Sequence, residues 1–319
     1  MFSTQIWRKT FLLMAVGLWG ASPLKATTAD NFAQQVQPDA LAIAQYVNAP
    51  FSRSMGFITT LGWTTPPGIF DLAFGPRVEV GVGIGVDLMN FPSLSSLSLP
   101  ALAANTNITI PSVLPFPVPV ATARIGLMNG MDFGLRLAYL PMVALPDIGF
   151  SGDFVGWGLN LRYKFMDGKY LPTMSVGMSF DSFSGELSVA TNVNQTSTYQ
   201  GQTANLVGTT SYALNWNVKS FGAKLEVGKD LGILYPFGAI GFQRNSGGIT
   251  SSLTGNGTVT MSDSSTAPIN FVASTTSAPN VFEPKFVLGI DIGQGLHWAV
   301  VGESNGVDIA GNTSFRIQF

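Results

Sequence analysis

One stretch of thirteen residues, RVEVGVGIGVDLM from Arg77 to Met89, alternates between two kinds of side chain. Val, Ile and Leu fall on one parity, whereas Glu, Gly and Asp fall on the other. This period of two is that of a two-faced β-strand, because a helix repeats every 3.6 residues. Such a strand either covers the core of a soluble sandwich or crosses a bilayer, for which a tilted strand needs about 9–11 residues.

The composition is unusually apolar for a soluble protein. Charged residues make up 11% of the chain, compared with about 25% in a typical soluble domain. The body of the chain has no run of about 18 apolar residues, so transmembrane helices do not explain this composition. The chain has no Cys, which excludes disulfides and Cys-ligated metal sites, and a net charge of −2 gives no basis for nucleic-acid binding.

Residues 1–26 have the pattern of a secretory signal peptide. The basic pair Arg8-Lys9 precedes an apolar run from Thr10 to Gly20, and Leu24-Lys25-Ala26 resembles a cleavage site. A permanent anchor helix is the alternative, but the apolar run is only about half as long as a spanning helix requires. We therefore expect export and cleavage after residue 26.

Residues 27–54 are predicted to be a small helical plug or latch. Asp30 and Asn31 can cap a first helical turn, and Pro38 begins an amphipathic second helix. Pro50 is expected to end this helix. Its apolar plug residues, which need a wall to rest on, are Leu41, Ile43, Ala44 and Val47. A poorly ordered mature N-terminus is the alternative.

Residues 55–319 are predicted to form a β-barrel. We identify ten alternating strands from 77–89 to 307–319, and possible strands at Met55–Trp63 and Ile69–Phe74 raise the count to about 12, with a range of 10–14. A bulge is expected near Ser220, where the apolar residues change parity. Short connections alternate with long ones, as in outer-membrane barrels. The short ones are 129–130, 166–169, 228–232 and 293–295, and the long ones are 90–119, 141–153, 181–212 and 245–281.

Charge placement favours a membrane barrel over a soluble sandwich. Within the predicted strands no charge falls on the apolar parity, and a Lys or Arg facing lipid at mid-depth costs about 2–4 kcal/mol. We therefore predict an all-β fold, a transmembrane antiparallel up-and-down β-barrel with a short N-terminal helical segment. The predicted lumen-lining residues are Glu79, Gly81, Gly83, Gly85, Asp87, Arg124, Asp132, Arg136, Arg162, Lys164, Lys224, Glu226, Lys285, Asp291 and Arg316.

Three of these residues, Gly81, Gly83 and Gly85, form a stripe of bare luminal positions. An interior glycine weakens a strand by about 0.5–1 kcal/mol unless another backbone approaches closely. We therefore expect residues 39–48 of the plug to lie against this stripe. The alternative is that the glycines let the sheet curve.

The export signal, the alternating strands and a terminal strand that ends with Phe315, Ile317 and Phe319 resemble bacterial outer-membrane β-barrels. In that class the closing aromatic residue is read by the barrel assembly machinery, so the resemblance implies this machinery as a partner in biogenesis and outer-membrane lipid as the surroundings. Residues 39–89, with Gly62-Trp63 and a Pro-containing turn, are similar to an uncharacterised family of such barrels. A more distant similarity is to fatty-acid transporters with an N-terminal luminal hatch.

No residue pattern indicates an enzyme, a cofactor site or a metal site. The single histidine, His297, could pair with Asp291, but a solvated luminal residue is the simpler interpretation. Two function classes remain. The first is a narrow or plugged channel or transporter for small or hydrophobic solutes; the second is a structural or surface-interaction protein with a filled lumen. Because side chains alone can fill a barrel of about eight strands, the larger predicted barrel favours transport. The substrate is not predicted.

Overall fold

The computed structural model describes residues 29–63, 77–92, 112–127, 130–145, 150–168, 170–199, 202–262 and 264–319. The predicted signal peptide and the possible strand Ile69–Phe74 lie outside these residues. The chain forms one helix, α1 (Ala29–Thr59), and eleven strands. The strands are β1 (Val78–Asn90), β2 (Val113–Gly126), β3 (Met131–Leu145), β4 (Phe150–Met166), β5 (Thr173–Tyr199), β6 (Gln202–Gly228), β7 (Leu234–Met261), β8 (Thr266–Ser277), β9 (Phe282–Gln294), β10 (Leu296–Ser304) and β11 (Ile309–Gln318).

The strands form one antiparallel sheet that closes on itself. Each strand pairs with its neighbour in the chain from β1 to β7, and β11 returns to pair with β1. Residues 234–244 of β7 pair with β9, and residues 249–260 of β7 pair with β8. The strands β8 and β9 therefore share one position in the ring. Within the described residues the ring therefore has ten positions. The predicted transmembrane up-and-down β-barrel is confirmed.

The eleven strands of the described residues, in ten ring positions, lie within the predicted range of 10–14 around a count of about 12. Residues 55–59, predicted as the start of a strand, are the last part of α1, and the following residues to Trp63 are not in a strand either. Met55, Phe57 and Ile58 are all fully buried. A short apolar run that is buried on every side has no period that separates a strand from a helix. The helix is also continuous through Pro38 and Pro50, where two helices were predicted.

An apolar belt surrounds the barrel. Its outward side chains include Leu135, Leu137 and Leu288, which are 48%, 50% and 75% exposed. Aromatic rings stack across neighbouring strands on the same face, as in the pair of Trp298 and Phe315, with centroids 6.2 Å apart. Such a belt faces lipid in transmembrane barrels. No helix in the described part of the chain is long and apolar enough to cross a membrane.

Strands β5, β6 and β7 have 27, 27 and 28 residues, far more than the roughly 9–11 that cross a bilayer. Part of the way along each of these strands, the apolar face changes from the outer side of the barrel to the inner side. On β5 the outward residues change from Met178 and Phe180 to Ser182 and Glu186, while Phe183 and Leu187 turn inward and are buried. We call the region beyond this change the tall end, and the opposite rim, with the connections near 130, 167–172, 229–233 and 295, the short-turn end.

This change of face explains two wrong predictions. No bulge occurs near Ser220, because β6 keeps a continuous register with both β5 and β7. Trp216 and Val218 lie on the opposite parity to Phe221 because the strand leaves the belt before it reaches them, and its apolar side there faces the interior. The segments 181–212 and 245–281, predicted as polar loops, are mostly the upper halves of strands β5 to β8.

Three alternating prolines limit the contact between β2 and β3. β2 pairs with β1 over its whole length, but with β3 only over residues 120–126. The amide of Gly126 bonds to the carbonyl of Arg77, just before β1, whereas that of Leu127 bonds to Met131 at the start of β3. The backbone N–H and C=O groups of odd-numbered residues of β2 therefore point toward β3. The prolines occupy odd positions, at Pro115, Pro117 and Pro119, and a proline has no N–H to donate.

Candidate functional site

The helix α1 lies inside the barrel and its tall end. It packs mainly on β7 and β8 and also touches β1, β5 and β6. Val36, Ala44, Val47 and Phe51 of α1 are fully buried. Asn48 donates hydrogen bonds to the carbonyls of residues 249 and 275 on β7 and β8, at 3.3 and 3.4 Å. The interior is therefore filled by a separate segment of the chain as well as by strand side chains.

The barrel wall caps the C-terminal end of α1. The last turn of a helix leaves its carbonyls without intrahelical partners. Arg136 of β3 donates to the carbonyls of Thr59 and Leu61, and Lys285 of β9 donates to the carbonyl of Thr60 at 3.1 Å. Positive charge at this end also suits the helix dipole. Two cations from opposite parts of the wall thus hold three successive carbonyls.

Each capping cation has a carboxylate partner. Arg136 lies 3.3 Å from Asp181, which also accepts a 2.9 Å hydrogen bond from the indole of Trp63. Lys285 lies 2.7 Å from Glu303. All these side chains are buried, so the charges are compensated within the lumen. We call Arg136, Lys285, Asp181, Glu303 and Trp63 the helix dock.

A second set of polar contacts holds α1 nearer to the tall end. Ser54 donates to Asp308 at 3.0 Å, and Arg53 lies 3.5 Å from the same carboxylate. Arg53 also donates to the carbonyl of residue 90, at the end of β1. The polar side of α1 is therefore fixed to β1 and to the β10–β11 connection.

The apolar side of α1 packs into a cluster of rings at the tall end. Phe51 makes edge contacts with Phe91 and Phe116, with centroids 6.2 and 6.4 Å apart. Phe116 in turn contacts Phe154 at 6.0 Å and Trp216 at 6.2 Å. This half of the lumen is apolar, unlike the half toward the short-turn end. The interior thus changes from apolar to charged along its axis.

Two ion-pair networks form the lumen floor between the helix dock and the short-turn end. In the first, Arg162 bridges Asp132 at 2.7 Å and Glu226 at 3.1 Å, and Arg124 and Lys224 extend the chain of charges. In the second, Arg316 joins Glu79 at 3.2 Å and Asp291 at 2.6 Å. Such networks are costly to bury and are sensitive to the loss of any partner. A small cavity of about 20 Å³ lies beside the dock, near Trp63 and Lys224.

A larger cavity of about 390 Å³ lies at the short-turn end. His297 lines it and contacts Asp291 through Nδ1 at 3.0 Å. The pairing of these two residues is therefore present. Thr173 and Tyr235 line the same cavity, and the hydroxyl of Thr173 donates a 3.0 Å hydrogen bond to Asp167. Asp167 lies at the same rim. Burial opposes its ionisation, yet hydrogen bonds from Lys164 and Thr173 keep the pKa of its carboxyl below the usual value.

The structure places most predicted lumen-lining residues on the inward face. Those that are fully or largely buried are Glu79, Asp87, Arg124, Asp132, Arg136, Arg162, Glu226, Lys285, Asp291 and Arg316. Lys164 is partly exposed and pairs with Asp167 at the short-turn rim. Lys224 is partly exposed as well, beside Glu226. In the described residues, no group of three or more His, Cys, Asp or Glu side chains is arranged to hold a metal ion.

The predicted contact between residues 39–48 and the glycine stripe is wrong. A Cβ on Gly81 or Gly83 would meet the neighbouring strand β11, and only Gly85 faces the helical segment, through Leu61. Of the predicted plug residues, Ile43, Ala44 and Val47 are buried, but Leu41 is 37% exposed. The amphipathic segment packs on β7 and β8 instead, because those strands turn their apolar side inward at the tall end.

Sequence reasoning missed most of the helix dock. Arg136 and Lys285 were identified as luminal, but their partners Asp181, Glu303 and Trp63 were not. Asp181 was assigned to a loop, and Trp63 to a strand. The one available signal was that Asp181 continues the inward parity of Ser175, Gly177 and Ser179.

Residues 103–293, more than half of the chain, match a family described only as a family of unknown function (DUF6588). The chain belongs to this family. The match extends from within the β1–β2 connection into β9, and so includes both capping cations. It includes none of residues 39–89, on which the narrower resemblance rests. No curated protein matches the chain.

Several solved structures have a distant likeness to this barrel. LpxR from Salmonella typhimurium has a TM-score of 0.29 and 7% identity, covering 75% of this chain and 99% of that one. The translocator domain of autotransporter NalP from Neisseria meningitidis has 0.29 and 11%, covering 89% and 98%. The toluene transporter TbuX from Ralstonia pickettii has 0.24 and 8%, covering 77% and 90%. At such low TM-scores these likenesses carry no argument about function.

Proposed function

We propose that this protein is an outer-membrane barrel that forms a gated passage for small apolar solutes, and that α1 is the gate. The single observation that carries this proposal is the occupant of the lumen. Side chains alone can fill a barrel of about eight strands, whereas this ring of ten positions encloses a separate 31-residue helix. The wall around the helix is apolar at the tall end, so displacement of α1 exposes an apolar path.

The polar contacts of the helix dock suit a gate. They hold α1 in one position, but the acceptors at its C-terminal end are neutral, namely three backbone carbonyls and the hydroxyl of Thr60. When α1 leaves, Arg136 and Lys285 still keep their carboxylate partners. The two ion pairs of the dock therefore remain intact without the helix, which lowers the cost of opening there, whereas Asp308 nearer to the tall end loses its contact with Arg53.

A reversible disulfide between α1 and the wall tests this proposal. The Cβ of Leu61 lies 3.4 Å from the position that a Cβ on Gly85 would take, close to the separation of about 3.5–4.5 Å in a disulfide. Because the chain has no Cys, Leu61→Cys/Gly85→Cys introduces the only thiol pair. The protein is reconstituted in planar bilayers, and its single-channel conductance and the flux of a small apolar dye are measured before and after reduction.

We expect openings and dye flux only in the reduced form, and permanent openings when residues 29–63 are deleted. The matched control is Gly168→Cys/Leu171→Cys, in an exposed turn, where the corresponding Cβ separation is 3.7 Å. Oxidation of the control should leave conductance unchanged. Equal conductance of the oxidised lock, the reduced lock and the deletion would contradict the proposal.

The second candidate function is a structural or surface-interaction protein with a permanently filled lumen. The observation that favours it is the density of buried ion pairs on the lumen floor, with a small cavity of about 20 Å³ beside the dock. The same experiment separates the two candidates. A filled-lumen protein would remain closed after reduction, because the floor networks do not depend on α1.

A further inference from the structure

Three polar side chains lie together on the inner face of the barrel where β1 meets β11. Asp87 of β1 pairs with Ala310 of β11, so Asp308 and Asn312, two residues to either side of Ala310, flank Asp87 on the same face. Such diagonal neighbours in an antiparallel pair are about 7–8 Å apart or less. Asp87 and Asp308 are fully buried, and Asn312 is 4% exposed. We call Asp87, Asp308 and Asn312 the seam site.

Most polar atoms of the seam site have no hydrogen-bond partner among the described residues. This holds for both carboxylate oxygens of Asp87 and for both amide atoms of Asn312, all of which are buried. Asp308 accepts a hydrogen bond from Ser54 through Oδ2, but its Oδ1 is buried without one. Buried polar groups are bonded to protein, ordered water or an ion in the great majority of cases. A concentration of such atoms on one face of a seam therefore points to a bound ligand.

The charges around the seam site indicate that this ligand is a cation. Arg53 of α1 lies 3.5 Å from Asp308, but its side chain is 31% exposed, so it offsets the two carboxylates only in part. Glu283 brings a third buried carboxylate. Asn305 joins it to Asp308, because Asn305 donates to Glu283 at 3.3 Å and accepts from the amide of Asp308 at 2.7 Å. Uncompensated negative charge is costly to bury, and a divalent cation would balance it.

The atoms of the seam site favour Ca²⁺ over other divalent ions. Ca²⁺ takes about six to eight oxygen ligands and accepts carboxylates through one or both oxygens, whereas Mg²⁺ demands a near-ideal octahedron. Ions such as Zn²⁺ and Ni²⁺ prefer imidazole or thiolate ligands. The chain has no Cys, and its single His lies at the short-turn end. The exposed part of Arg53 shows that water reaches this side of the site and can complete the coordination.

We propose that the seam site binds one Ca²⁺, which ties β1 to β11. Asp87 supplies two oxygens, and Asp308 and Asn312 supply one Oδ1 each. The Asn312 side chain leans toward β1, since its Nδ2 lies 3.8 Å from the position that a Cβ on Gly85 would take, and a 180° flip of the amide exchanges Nδ2 with Oδ1. The set combines two carboxylates with an amide, so it agrees with the lack of any group of three His, Cys, Asp or Glu ligands in the described residues.

All three ligands belong to the barrel wall. The site therefore goes beyond the proposed passage and does not depend on movement of α1. Its expected effect is on the wall itself, because the ion joins two strands that are far apart in the chain and close the ring.

Calorimetric titration tests the site directly. The protein is refolded in detergent micelles, stripped of metal with a chelator and titrated with CaCl₂ in about 150 mM KCl, which screens exposed charges beyond about 8 Å. We expect one saturable site per chain. MgCl₂ should bind at least about tenfold more weakly, because the ligands are not arranged as an octahedron.

Two substitutions locate the ion. Asp87→Asn removes a charged ligand and should raise the Kd at least about 100-fold, since loss of an outer-shell partner alone costs about 10- to 100-fold. Asn312→Leu keeps both carboxylates and should raise the Kd at least about tenfold. Glu186→Gln is the matched control. Glu186 lies directly opposite Asp153 on the outer face of the tall end, where it offers surface carboxylates to a cation, and its replacement should leave the Kd unchanged.

The unfolding temperature separates a Ca²⁺ ligand from a carboxyl group that is only buried. Without Ca²⁺, Asp87→Asn should unfold at a higher temperature than the parent, because it removes an uncompensated buried charge. Ca²⁺ should raise the Tm of the parent and leave that of Asp87→Asn nearly unchanged, since only the parent binds it. Equal stabilisation of the two proteins by Ca²⁺ would overturn the proposal.

The titration can overturn it as well. Lack of saturable binding to the parent would do so, as would an unchanged Kd in Asn312→Leu, which also decides the question if Asp87→Asn does not fold. Loss of binding in Glu186→Gln would place the ion on the outer face instead of the seam. None of these measurements requires α1 to move, so the seam site and the gated passage succeed or fail separately.

Discussion

The replacement Arg136→Met gives the sharpest view of how α1 is held. It removes the donors to the carbonyls of Thr59 and Leu61 and leaves Asp181 in the lumen without its cation. Loss of one partner from a buried ion pair costs about 3–5 kcal/mol, and undocking relieves this cost because water then reaches Asp181. Because every 1.4 kcal/mol is a factor of ten, the undocked population of α1 should rise by up to about 10²- to 4 × 10³-fold.

The assay uses Leu61→Cys as a single reporter, since Leu61 is fully buried and the chain has no other thiol. A small water-soluble thiol reagent can modify it only when α1 is undocked. We expect the modification rate in Arg136→Met to exceed the rate in the parent by up to about 10²- to 4 × 10³-fold, until undocking itself limits the reaction.

Two further variants test the reasoning. Asp181→Asn combined with Arg136→Met removes the unpaired charge, so the double variant should be modified at least about tenfold more slowly than Arg136→Met alone. Arg316→Met breaks a buried ion pair that has no described contact with α1, so it should leave the rate near that of the parent. An unchanged rate in Arg136→Met, or an equal increase in Arg316→Met, would refute the cap.

Two predictions concern the wall. On β5, Met178→Arg should lower the free energy of unfolding from vesicles by about 2–4 kcal/mol, whereas Glu186→Arg, on the same face but beyond the belt, should change it much less. Equal costs would mean that the belt extends into the tall end. Gly158→Ala should raise the modification rate of Leu61→Cys, because the added Cβ would meet the Asp181 carboxylate and force it to move. Gly311→Ala, where an added Cβ has no neighbour within 4 Å, is its control, and similar rates in the two variants would argue against a role for Asp181 in docking.

The sequence by itself determined the barrel. The period of two in segments such as 77–89 requires strands with one apolar face, and the exclusion of charge from that face requires lipid on the outside. These are local constraints, because each strand carries its own alternation and each short turn its own glycine. For the same reason the luminal parity of Arg136, Lys285 and Arg316 could be predicted from the strands that carry them.

Only the tertiary structure decided what fills the lumen. The contacts of Arg136 and Lys285 with the carbonyls of residues 59–61 join residues 75 to 225 positions apart, and no local pattern records such a pairing. The apolar residues of β5 change from even to odd positions next to Asp181, and no local pattern explains this change either. Phe183 and Trp216 turn inward because α1 replaces lipid as the apolar surface, and the surface that is available to a strand depends on what the rest of the chain places beside it. Alternation specifies that a strand has two faces, and the assembled barrel decides which face is inside.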